Sequence, residues 1–263
     1  MENTESTLET ERGKLQITMF DVGKADAFVL QTENSTIVID CGTEKKGKSV
    51  RNYLKNEGID TIDCMIITHF DQDHVGGAAK IIKKYDVKEI YTPNYQENNN
   101  EYEEYCNEME EKGIVPNEIT EPVSLEFDNV KLDIYPPKEE RYGSNDFNDL
   151  SLITTVKCNE FSALFTGDIL EKRIEEWLDM DMGTFDILKV PYHGRNIANL
   201  GAFLDSVQPE YALISTTEEE FCTRTRMLLE DRDIKYYSTF ADGIVTVNID
   251  ENITISGSQT ESS

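Results

Sequence analysis

The sequence predicts an α+β fold in which two mixed β-sheets pack together and carry helices on their outer faces. Strand-like runs alternate with helix-like segments, the alternation recurs in two similar halves, and no stretch has the composition of an interdomain linker. The 263 residues and the hydrophobic fraction of 38% allow a sizeable buried core. We therefore predict one globular domain over residues 13–256, between disordered segments at 1–12 and 257–263.

Strands in the first half are recognised by their apolar residues. The period of two from Leu15 to Met19 is typical of a strand, and the mostly apolar, β-branched run 61–67 is typical of a buried one. Ile81 and Ile82, which follow a pair of glycines, have the spacing of an apolar helix face. The predicted strands of this half are 15–20, 28–30, 37–39, 61–67, 90–92, 123–127 and 130–135, and the predicted helices lie near 50–54, 81–85 and 101–112.

The second half repeats this alternation. A strand pair at 150–157 and 161–165 precedes a helix around Ile174 and Trp177, and a strand at 185–190 ends in a turn that contains His193. The remaining elements are a helix near 200–204, a strand at 211–215, a helix at 223–229, and strands near residues 236, 245 and 253.

Composition limits the classes of partner and the compartment. The formal net charge of -27 argues against long-range attraction to nucleic acid or to an anionic membrane, because both need a positive surface. No apolar run approaches the roughly 20 residues of a membrane span, and the polar N-terminal segment lacks a signal-peptide pattern. The five cysteines are odd in number and form no CxxC pair. We expect a cytoplasmic protein, or an extracytoplasmic one if an export signal has been trimmed from the chain.

The clearest functional signal lies in residues 66–77. Two of the three histidines of the chain and two aspartates form the pattern His-x-Asp-x-Asp-His there, as His69, Asp71, Asp73 and His74. Imidazole and carboxylate crowded into a strand-to-helix loop suit Zn²⁺, Mn²⁺ or Fe²⁺. The alternative is a polar helix N-terminus in which an aspartate caps the orphan backbone amides. Capping accounts for one aspartate, but not for the second one or for the two histidines.

Polar residues follow several other predicted strands. Asp21 and Asp40 come directly after a strand-like run, and Asp168 and His193 follow one within a short Gly- or Pro-containing turn. All three histidines therefore lie in Gly-flanked loops at strand ends. We expect these loops to meet at one edge of the sheets and to form a metal site.

These segments resemble the metallo-β-lactamase superfamily and, within it, the branch that includes the competence protein ComEC. The matching motifs are FDVGKADA at 20–27, IDCG at 39–42, THFDQDHVGG at 68–77, FTGD at 165–168 and LKVPYHG at 188–194. In order, they span most of the chain.

The resemblance implies a four-layer αββα sandwich with a dinuclear metal site at the edge where the sheets meet. The implied ligands are His69 and Asp71 for the first ion, Asp73, His74 and His193 for the second ion, and Asp168 as the bridge. It also implies that Asp40 and Thr68 orient the ligand loop and that Asp73 orients the attacking water. Two adjacent ions, Zn²⁺ or Mn²⁺ with Fe²⁺ also open, generate hydroxide at neutral pH and stabilise the charge of an in-line displacement.

Three departures from the family pattern bear on activity. Tyr192 replaces the first of two consecutive histidines, and we expect it to donate a hydrogen bond to the scissile group. Asn148, Asp149 or Ser151 stands where relatives often place another histidine, which makes the first metal site weak or rich in carboxylates. Lys24 replaces a glutamine, and it is either a contact for a substrate anion or a solvated loop lysine.

We therefore predict a metal-dependent hydrolase, and most simply a phosphodiesterase for a small phosphodiester or a short single-stranded nucleic acid. Lys24, Lys189 and Arg195 are the nearby cations that a phosphate could use, whereas the net charge disfavours duplex nucleic acid. Two alternatives stay open. One is a lactone or β-lactam hydrolase that uses the same hydroxide, and the other is a metal-binding sensor or interaction module with little turnover. The sequence specifies neither the substrate nor the oligomeric state.

Overall fold

The computed structural model describes residues 13–143 and 147–259. The described strands are β1 (Leu15–Met19), β2 (Ala27–Gln31), β3 (Thr36–Cys41), β4 (Thr61–Ile66), β5 (Asp86–Pro93), β6 (Asn117–Ile119), β7 (Val123–Phe127), β8 (Val130–Tyr135), β9 (Ile153–Cys158), β10 (Phe161–Phe165), β11 (Ile187–Lys189), β12 (Tyr211–Ile214), β13 (Lys235–Ser238), β14 (Val245–Ile249) and β15 (Ile253–Gly257). The helices are α1 (Lys48–Asn56), α2 (Gln72–Val75), α3 (Ala78–Lys84), α4 (Asn100–Lys112), α5 (Glu171–Met180), α6 (Leu200–Val207), α7 (Thr223–Glu230) and α8 (Thr239–Asp242), with 3₁₀ turns at Asn148–Leu150 and Pro191–Gly194.

The strands form two mixed sheets, as predicted. The first sheet has eight strands in the order β15-β14-β1-β2-β3-β4-β5-β6, and the second has seven in the order β13-β12-β11-β10-β9-β8-β7. In the first sheet, the run from β15 to β3 is antiparallel and the run from β3 to β6 is parallel. In the second sheet, the pairs from β7 to β10 are antiparallel and those from β10 to β13 are parallel.

Three apolar layers hold the sandwich together. The central layer joins the two sheets and includes an edge-to-face contact between Phe28 and Phe165, whose ring centroids lie 5.2 Å apart. The second layer packs α1, α3 and α4 on the first sheet, and the third packs α5, α6 and α7 on the second. Strand alternation produces this division, because Phe165 points to the centre while its neighbour Leu164 points to the outer layer. The αββα architecture is confirmed.

Some boundaries and short elements differ from the prediction. The strand predicted from residue 150 begins at Ile153, because residues 148–150 close a 3₁₀ turn and Leu152 N bonds to Thr68 O instead. The strand predicted at 185–190 is limited to Ile187–Lys189. The helices α2 and α8 and the short strand β6 were not predicted.

The tail predicted from residue 257 starts later. Gly257 is buried as the last residue of β15, and Ser258 N donates to Ile244 O over 2.8 Å. The predicted segment 1–12 and residues 260–263 lie outside the described part of the chain. None of the helices in the described ranges is long and apolar enough to cross a membrane.

Candidate metal centre

Loops from both sheets converge at one edge of the sandwich. The loop after β4 carries the His-x-Asp-x-Asp-His segment, and the loops after β10 and β11 carry Asp168 and His193. Leu152 N, which leads into the second sheet, donates to Thr68 O of the first over 2.8 Å. The Ser215 hydroxyl likewise donates to the carbonyl of Ala25. Backbone contacts across the two sheets thus fix the loops that bear the candidate ligands.

Four predicted ligands lie together in this edge. Asp73, His74, Asp168 and His193 each offer one ligand atom, and these atoms all lie within 4.8 Å of one another. Asp168 Oδ2 is 2.9 Å from His193 Nε2 and 3.4 Å from His74 Nε2, and Asp73 Oδ2 is 3.5 Å from His193 Nε2. All but Asp73 are buried. The structure therefore brings together the residues predicted to hold the second ion and to bridge the pair.

The predicted first-ion residues form a smaller group next to it. His69 is fully buried, and its Nε2 lies 3.7 Å from Asp71 Oδ2, whose side chain is 43% exposed. The ring centroids of His69 and His74 are 4.0 Å apart, so the two groups adjoin. Within the described ranges, Asp71 is the only carboxylate inside 4.0 Å of His69 Nε2. The first group thus offers an imidazole and a carboxylate at a partly open position.

Each histidine ring is held by its Nδ1 atom. His74 Nδ1 lies 2.7 Å from Asp40 Oδ2, and His193 Nδ1 lies 2.9 Å from the carbonyl oxygen of Ser215. His69 Nδ1 is 3.1 Å from Thr68 Oγ1. Such partners fix the ring orientation and aim the opposite nitrogen, as they do in metal sites.

The opposite nitrogen atoms have no comparable partner. The Nε2 atoms of His69, His74 and His193 are buried, and among the described residues none of them has a hydrogen-bond partner of acceptable geometry. Asp168 lies near two of them at angles that do not make a hydrogen bond. Burying three polar atoms in this way is unfavourable unless another group satisfies them. Three aimed imidazole nitrogens beside carboxylate oxygens fit a divalent metal ion.

Asp40 and Thr68 support the ligand loop from below. Asp40 has left-handed backbone angles, with φ of 55°, and accepts hydrogen bonds from Thr68 N over 2.8 Å and from Thr68 Oγ1 over 2.7 Å. These contacts lie where the resemblance placed them. Asp71 precedes α2, but its side chain makes no capping hydrogen bond. The helix-cap alternative for this loop therefore does not describe Asp71.

A buried lysine lies inside the centre. Lys189 is 1% exposed, and its Nζ donates to Gly167 O over 2.6 Å, lies 3.2 Å from Asp168 Oδ1 and forms an ion pair with Asp26. Burial works against its charge, but Asp26 and Asp168 raise its pKa, so the ammonium is retained. The prediction that Lys189 is available to a phosphate is wrong, because its ammonium group is buried and paired with Asp26 and Asp168.

Sequence reasoning missed Asp26, which is 1% exposed and has an Oδ1 atom with no hydrogen-bond partner among the described residues. Its position in the Gly-containing first motif, five residues after Asp21, is the only signal that could have found it. Asp21 itself is exposed and accepts a hydrogen bond from Gly23 N over 3.3 Å, so it is not part of the centre. The strand-end argument thus selected the wrong aspartate of this loop.

The cluster stabilises charged forms of its members. Burial lowers the pKa of His193, but Asp168 and Asp26 raise it to about 10, and Asp168 and Asp40 likewise raise the pKa of His74 against the effect of burial. Burial raises the pKa of Asp168, but His193, His74 and Lys189 bring it well below its usual value. Without a metal ion the two imidazoles therefore hold protons that an incoming ion must displace.

Lys24 and Arg195 lie at the rim. Lys24 Nζ is 2.5 Å from Asp73 Oδ2, and its side chain is 30% exposed. The Arg195 guanidinium donates to the Tyr192 hydroxyl over 2.9 Å, lies 4.9 Å from the centre of the Tyr192 ring and pairs with Glu220 over 3.1 Å. Because that hydroxyl accepts the Arg195 bond, it can still donate its own proton to another acceptor.

The backbone at His193 is strained. Tyr192, His193 and Gly194 all have left-handed angles, with φ of 52°, 53° and 74°. Only glycine adopts this region freely, so two consecutive side-chain-bearing residues there cost free energy. The turn aims the His193 ring into the cluster while the Tyr192 ring lies outside it.

The segment 148–151 contributes indirectly. Ser151 Oγ accepts a hydrogen bond from Asp168 N over 3.2 Å and lies 3.3 Å from His69 Nδ1. Asp149 instead accepts from Leu170 N over 2.6 Å at the start of α5. Asn148 Oδ1 is buried and has no hydrogen-bond partner within the described ranges. Of the three candidates for the missing histidine, Ser151 is the one that contacts predicted ligands.

Comparison with known proteins points to one family. The model of the Metallo-beta-lactamase superfamily matches residues 20–218. The chain is 27% identical over 206 residues to Recombination protein 2 of Haemophilus influenzae, and 26% identical over 223 residues to ComE operon protein 3 of Bacillus subtilis. These matches cover 76% of this chain but 24% and 28% of the relatives, so the chain spans about a quarter of their length.

Solved structures share the fold at low identity. The metallo-beta-lactamase fold protein YhfI of Bacillus subtilis matches with a TM-score of 0.62 at 10% identity, over 91% of this chain and 100% of its own. A diphosphatase of the PhnP family matches with a TM-score of 0.54 at 13% identity, over 91% of this chain and 98% of its own. At such identity the likeness concerns the fold alone.

Proposed function

The chain belongs to the metallo-β-lactamase superfamily, and we propose that it is a metal-dependent hydrolase, namely a phosphodiesterase for a small phosphodiester or a short single-stranded nucleic acid. The observation that carries this proposal is the buried cluster of Asp73, His74, Asp168 and His193, whose histidines aim unpartnered Nε2 atoms at one point. Its chemistry suits a divalent ion next to a reacting phosphate.

These four residues would hold one ion, and His69 with Asp71 would hold a second, with Zn²⁺ and Mn²⁺ as the first choices and Fe²⁺ open. When bound, such ions supply an activated water molecule and neutralise charge that develops on the phosphate. The relevant contribution of the chain is to hold the carboxylate ligands Asp73 and Asp168 in ionised form. Lys189 pairs with Asp26, a further buried carboxylate, and with Asp168 Oδ1. The other oxygen of Asp168, Oδ2, therefore remains directed at the cluster.

Asp73 has the chemistry of a residue that orients water. Burial raises its pKa, but His193 and His74 hold that pKa far below its usual value, so the carboxylate remains an acceptor at any neutral pH. At 16% side-chain exposure it is also the cluster member with access to solvent. We propose that Asp73 orients the attacking water molecule and also serves as a metal ligand.

Two rim cations suit a phosphate. Lys24 and Arg195 have side chains that are 30% and 41% exposed; Lys24 pairs with Asp73 of the cluster, and Arg195 donates to Tyr192, the neighbour of His193. Charge-assisted hydrogen bonds from such groups are the usual means of holding phosphate oxygens. The free proton of the Tyr192 hydroxyl supplies a third donor, and we assign it to the scissile group.

The comparisons support the reaction class without naming a substrate. A protein described as a diphosphatase shares the fold, which makes hydrolysis at phosphorus a reaction that the fold accommodates. A relative described as a recombination protein favours a substrate derived from nucleic acid. Since the chain carries 52 acidic and 25 basic residues, a short or small substrate suits it better than a duplex.

A metal-binding module with little turnover is the second candidate. Two observations favour it: Lys24 pairs with Asp73, and among the described residues the His69–Asp71 group has no second carboxylate close to His69. Hydrolysis of a lactone or β-lactam uses the same centre, but the cationic rim offers no preference for those uncharged bonds. The two hydrolase classes therefore differ in the charge of the group that Lys24 and Arg195 would contact.

The test is hydrolysis of bis-p-nitrophenyl phosphate by the full chain, with Mn²⁺ or Zn²⁺ added, beside a lactone substrate. We expect metal-dependent cleavage of the phosphodiester, and its loss in Asp73→Ala and in Asp168→Ala. Asp179→Ala, which removes an exposed carboxylate of α5, is the matched control and should retain full activity. Bound metal without cleavage of either substrate would favour the metal-binding module, and lactone cleavage alone would overturn the choice of substrate.

A further inference from the structure

A loop rich in positive charge follows β3 in this acidic chain. Residues 43–48, which we call the lysine loop, contain Lys45, Lys46 and Lys48, whereas the whole chain has a formal net charge of -27. All three lysines are exposed, and none of them has a carboxylate within 4.0 Å among the described residues. The single acidic residue of the loop, Glu44, is already paired with a lysine outside it.

The stability of the fold does not explain this charge. Lys48 is the first residue of α1, whose first turn holds no acidic residue, and the helix dipole disfavours a cation at that position. Neighbouring ammonium groups also repel one another in the absence of an anion. A cluster of like charges raises the local concentration of an oppositely charged ligand. The lysine loop is therefore better explained by contact with an anion than by its contribution to folding.

The lysine loop packs directly on the loop that carries the predicted metal ligands. A Cβ atom added at Gly47 would lie 3.1 Å from Gly77 Cα, and one added at Gly76 would lie 2.7 Å from Glu44 N. Glycine at these positions lets the two backbones approach closely. The contact fixes the position of the lysines relative to His74, which stands two residues before Gly76.

Lys46 also reaches the rim of the cluster. Its Nζ atom lies against Gly23, where an added Cβ atom would be 2.7 Å from it. The next residue, Lys24, pairs with Asp73, which is the cluster member with access to solvent. Asp26 N, in the same turn, donates to Asp73 O over 3.1 Å and holds the turn against the ligand loop. Lys24 and Lys46 therefore belong to one cationic patch on the open side of the cluster.

We propose that Lys46, supported by Lys45 and Lys48, binds a second phosphate of the substrate, beside Lys24 and the phosphate that reacts at the metal centre. This inference rests on the proposed function, which supplies the first phosphate. Lysine binds phosphate as a point charge on a flexible stem, without a fixed geometry. The patch therefore suits successive phosphates better than one ligand of defined shape. The substrate it selects carries at least two phosphates, either along a single strand or linked directly to each other.

The test measures binding rather than turnover. Isothermal titration of the full chain in Mn²⁺ would compare thymidine 5′-monophosphate with thymidine 3′,5′-bisphosphate, neither of which contains a phosphodiester to cleave. We expect the bisphosphate to bind at least about fivefold more tightly. Lys46→Gln should weaken binding of the bisphosphate by about three- to fivefold, the effect of one exposed ion pair, and leave the monophosphate unchanged. Replacing Lys45, Lys46 and Lys48 together with glutamine should remove the preference, and their exposure makes loss of the fold no explanation.

Lys55→Gln is the matched control, because Lys55 is also exposed but lies in the last turn of α1, at the other end from Lys48. It should leave both affinities unchanged. Thymidine diphosphate, whose two phosphates are adjacent, distinguishes the two kinds of substrate. A preference for the bisphosphate that depends on Lys46 identifies a strand, and one for the diphosphate alone identifies directly linked phosphates. Equal affinity for all three nucleotides, an unchanged Lys46→Gln variant, or an equal loss in Lys55→Gln would overturn the subsite.

The same measurements separate the subsite from the proposed function. A preference for two phosphates that depends on Lys46, in a chain that cleaves no phosphodiester, would keep the subsite and reject the phosphodiesterase. Cleavage of bis-p-nitrophenyl phosphate by a chain that binds all three nucleotides equally would keep the phosphodiesterase and reject the subsite.

Discussion

Replacing Lys189 with methionine tests the charge balance of the metal centre. The substitution keeps an unbranched, apolar stem of similar volume and removes the ammonium that pairs with Asp26 and Asp168. Both carboxylates are at most 2% exposed, and Asp26 Oδ1 already lacks a hydrogen-bond partner among the described residues. Removing one partner of a buried ion pair costs about 3–5 kcal/mol, because the remaining charge stays buried. We expect the free energy of unfolding of the metal-free chain to fall by about that amount.

The assay is urea unfolding in the presence of a chelator, followed by circular dichroism. A second variant makes it specific: Asp26→Asn combined with Lys189→Met removes one of the stranded charges. The double variant should therefore be more stable than Lys189→Met alone, by about 1 kcal/mol or more. Lys172→Met, which breaks an exposed pair with Glu175, is the control and should leave stability unchanged. If Lys189→Met unfolds at the wild-type urea concentration, the buried charges are not balanced as argued.

Two further predictions concern pH. The pKa of His193 is raised from 6.5 to about 10, so its contribution to stability is full below pH 6.5 and is lost as pH rises towards 10. The metal-free chain should therefore lose stability over that pH interval. A melting temperature that does not change with pH over the interval would contradict the assignment. The pKa of Asp128 is lowered from 3.8 to about 2, chiefly by hydrogen bonds from Asn34 and Thr32, so its contribution is present above pH 3.8 and is lost as pH falls towards 2. Asp128→Asn should lower the free energy of unfolding at neutral pH by about 1 kcal/mol and weaken the loss of stability at acidic pH. If the loss of stability at acidic pH is unchanged in the variant, this carboxylate does not hold the β2–β3 turn.

The alternation of apolar residues was sufficient to predict most of the fold. Strands such as β7 and β8 were predicted to the residue because each face of the sheet buries one side of the alternation. The predicted strand from residue 150 was wrong at its start because the bond between Leu152 N and Thr68 O depends on a partner far away in sequence. Periodicity reports the burial of a segment, not the partner of each backbone group.

The candidate site likewise has residues that could be predicted from the sequence and residues that could not. The histidines and aspartates of one loop were recognisable because their spacing is local, and Asp168 and His193 lie in the short turns that follow their strands. The pairing of Asp26 with Lys189 was not predictable, since it requires the two sheets to be packed at a known register. The burial of Lys189 also depends on that packing, which is why an internal counter-charge was mistaken for a contact to substrate.

The place of β14 in the first sheet has a consequence for biosynthesis. β1 is made early, yet one of its edges is covered only by β14, and Gln16 donates a hydrogen bond to Asn248, 232 residues later in the chain. A nascent chain emerging from the ribosome therefore exposes an unpaired apolar strand edge until nearly all of the domain has been translated. Such an edge can pair with another chain, so we expect the last steps of folding to follow synthesis and to be the stage most sensitive to aggregation.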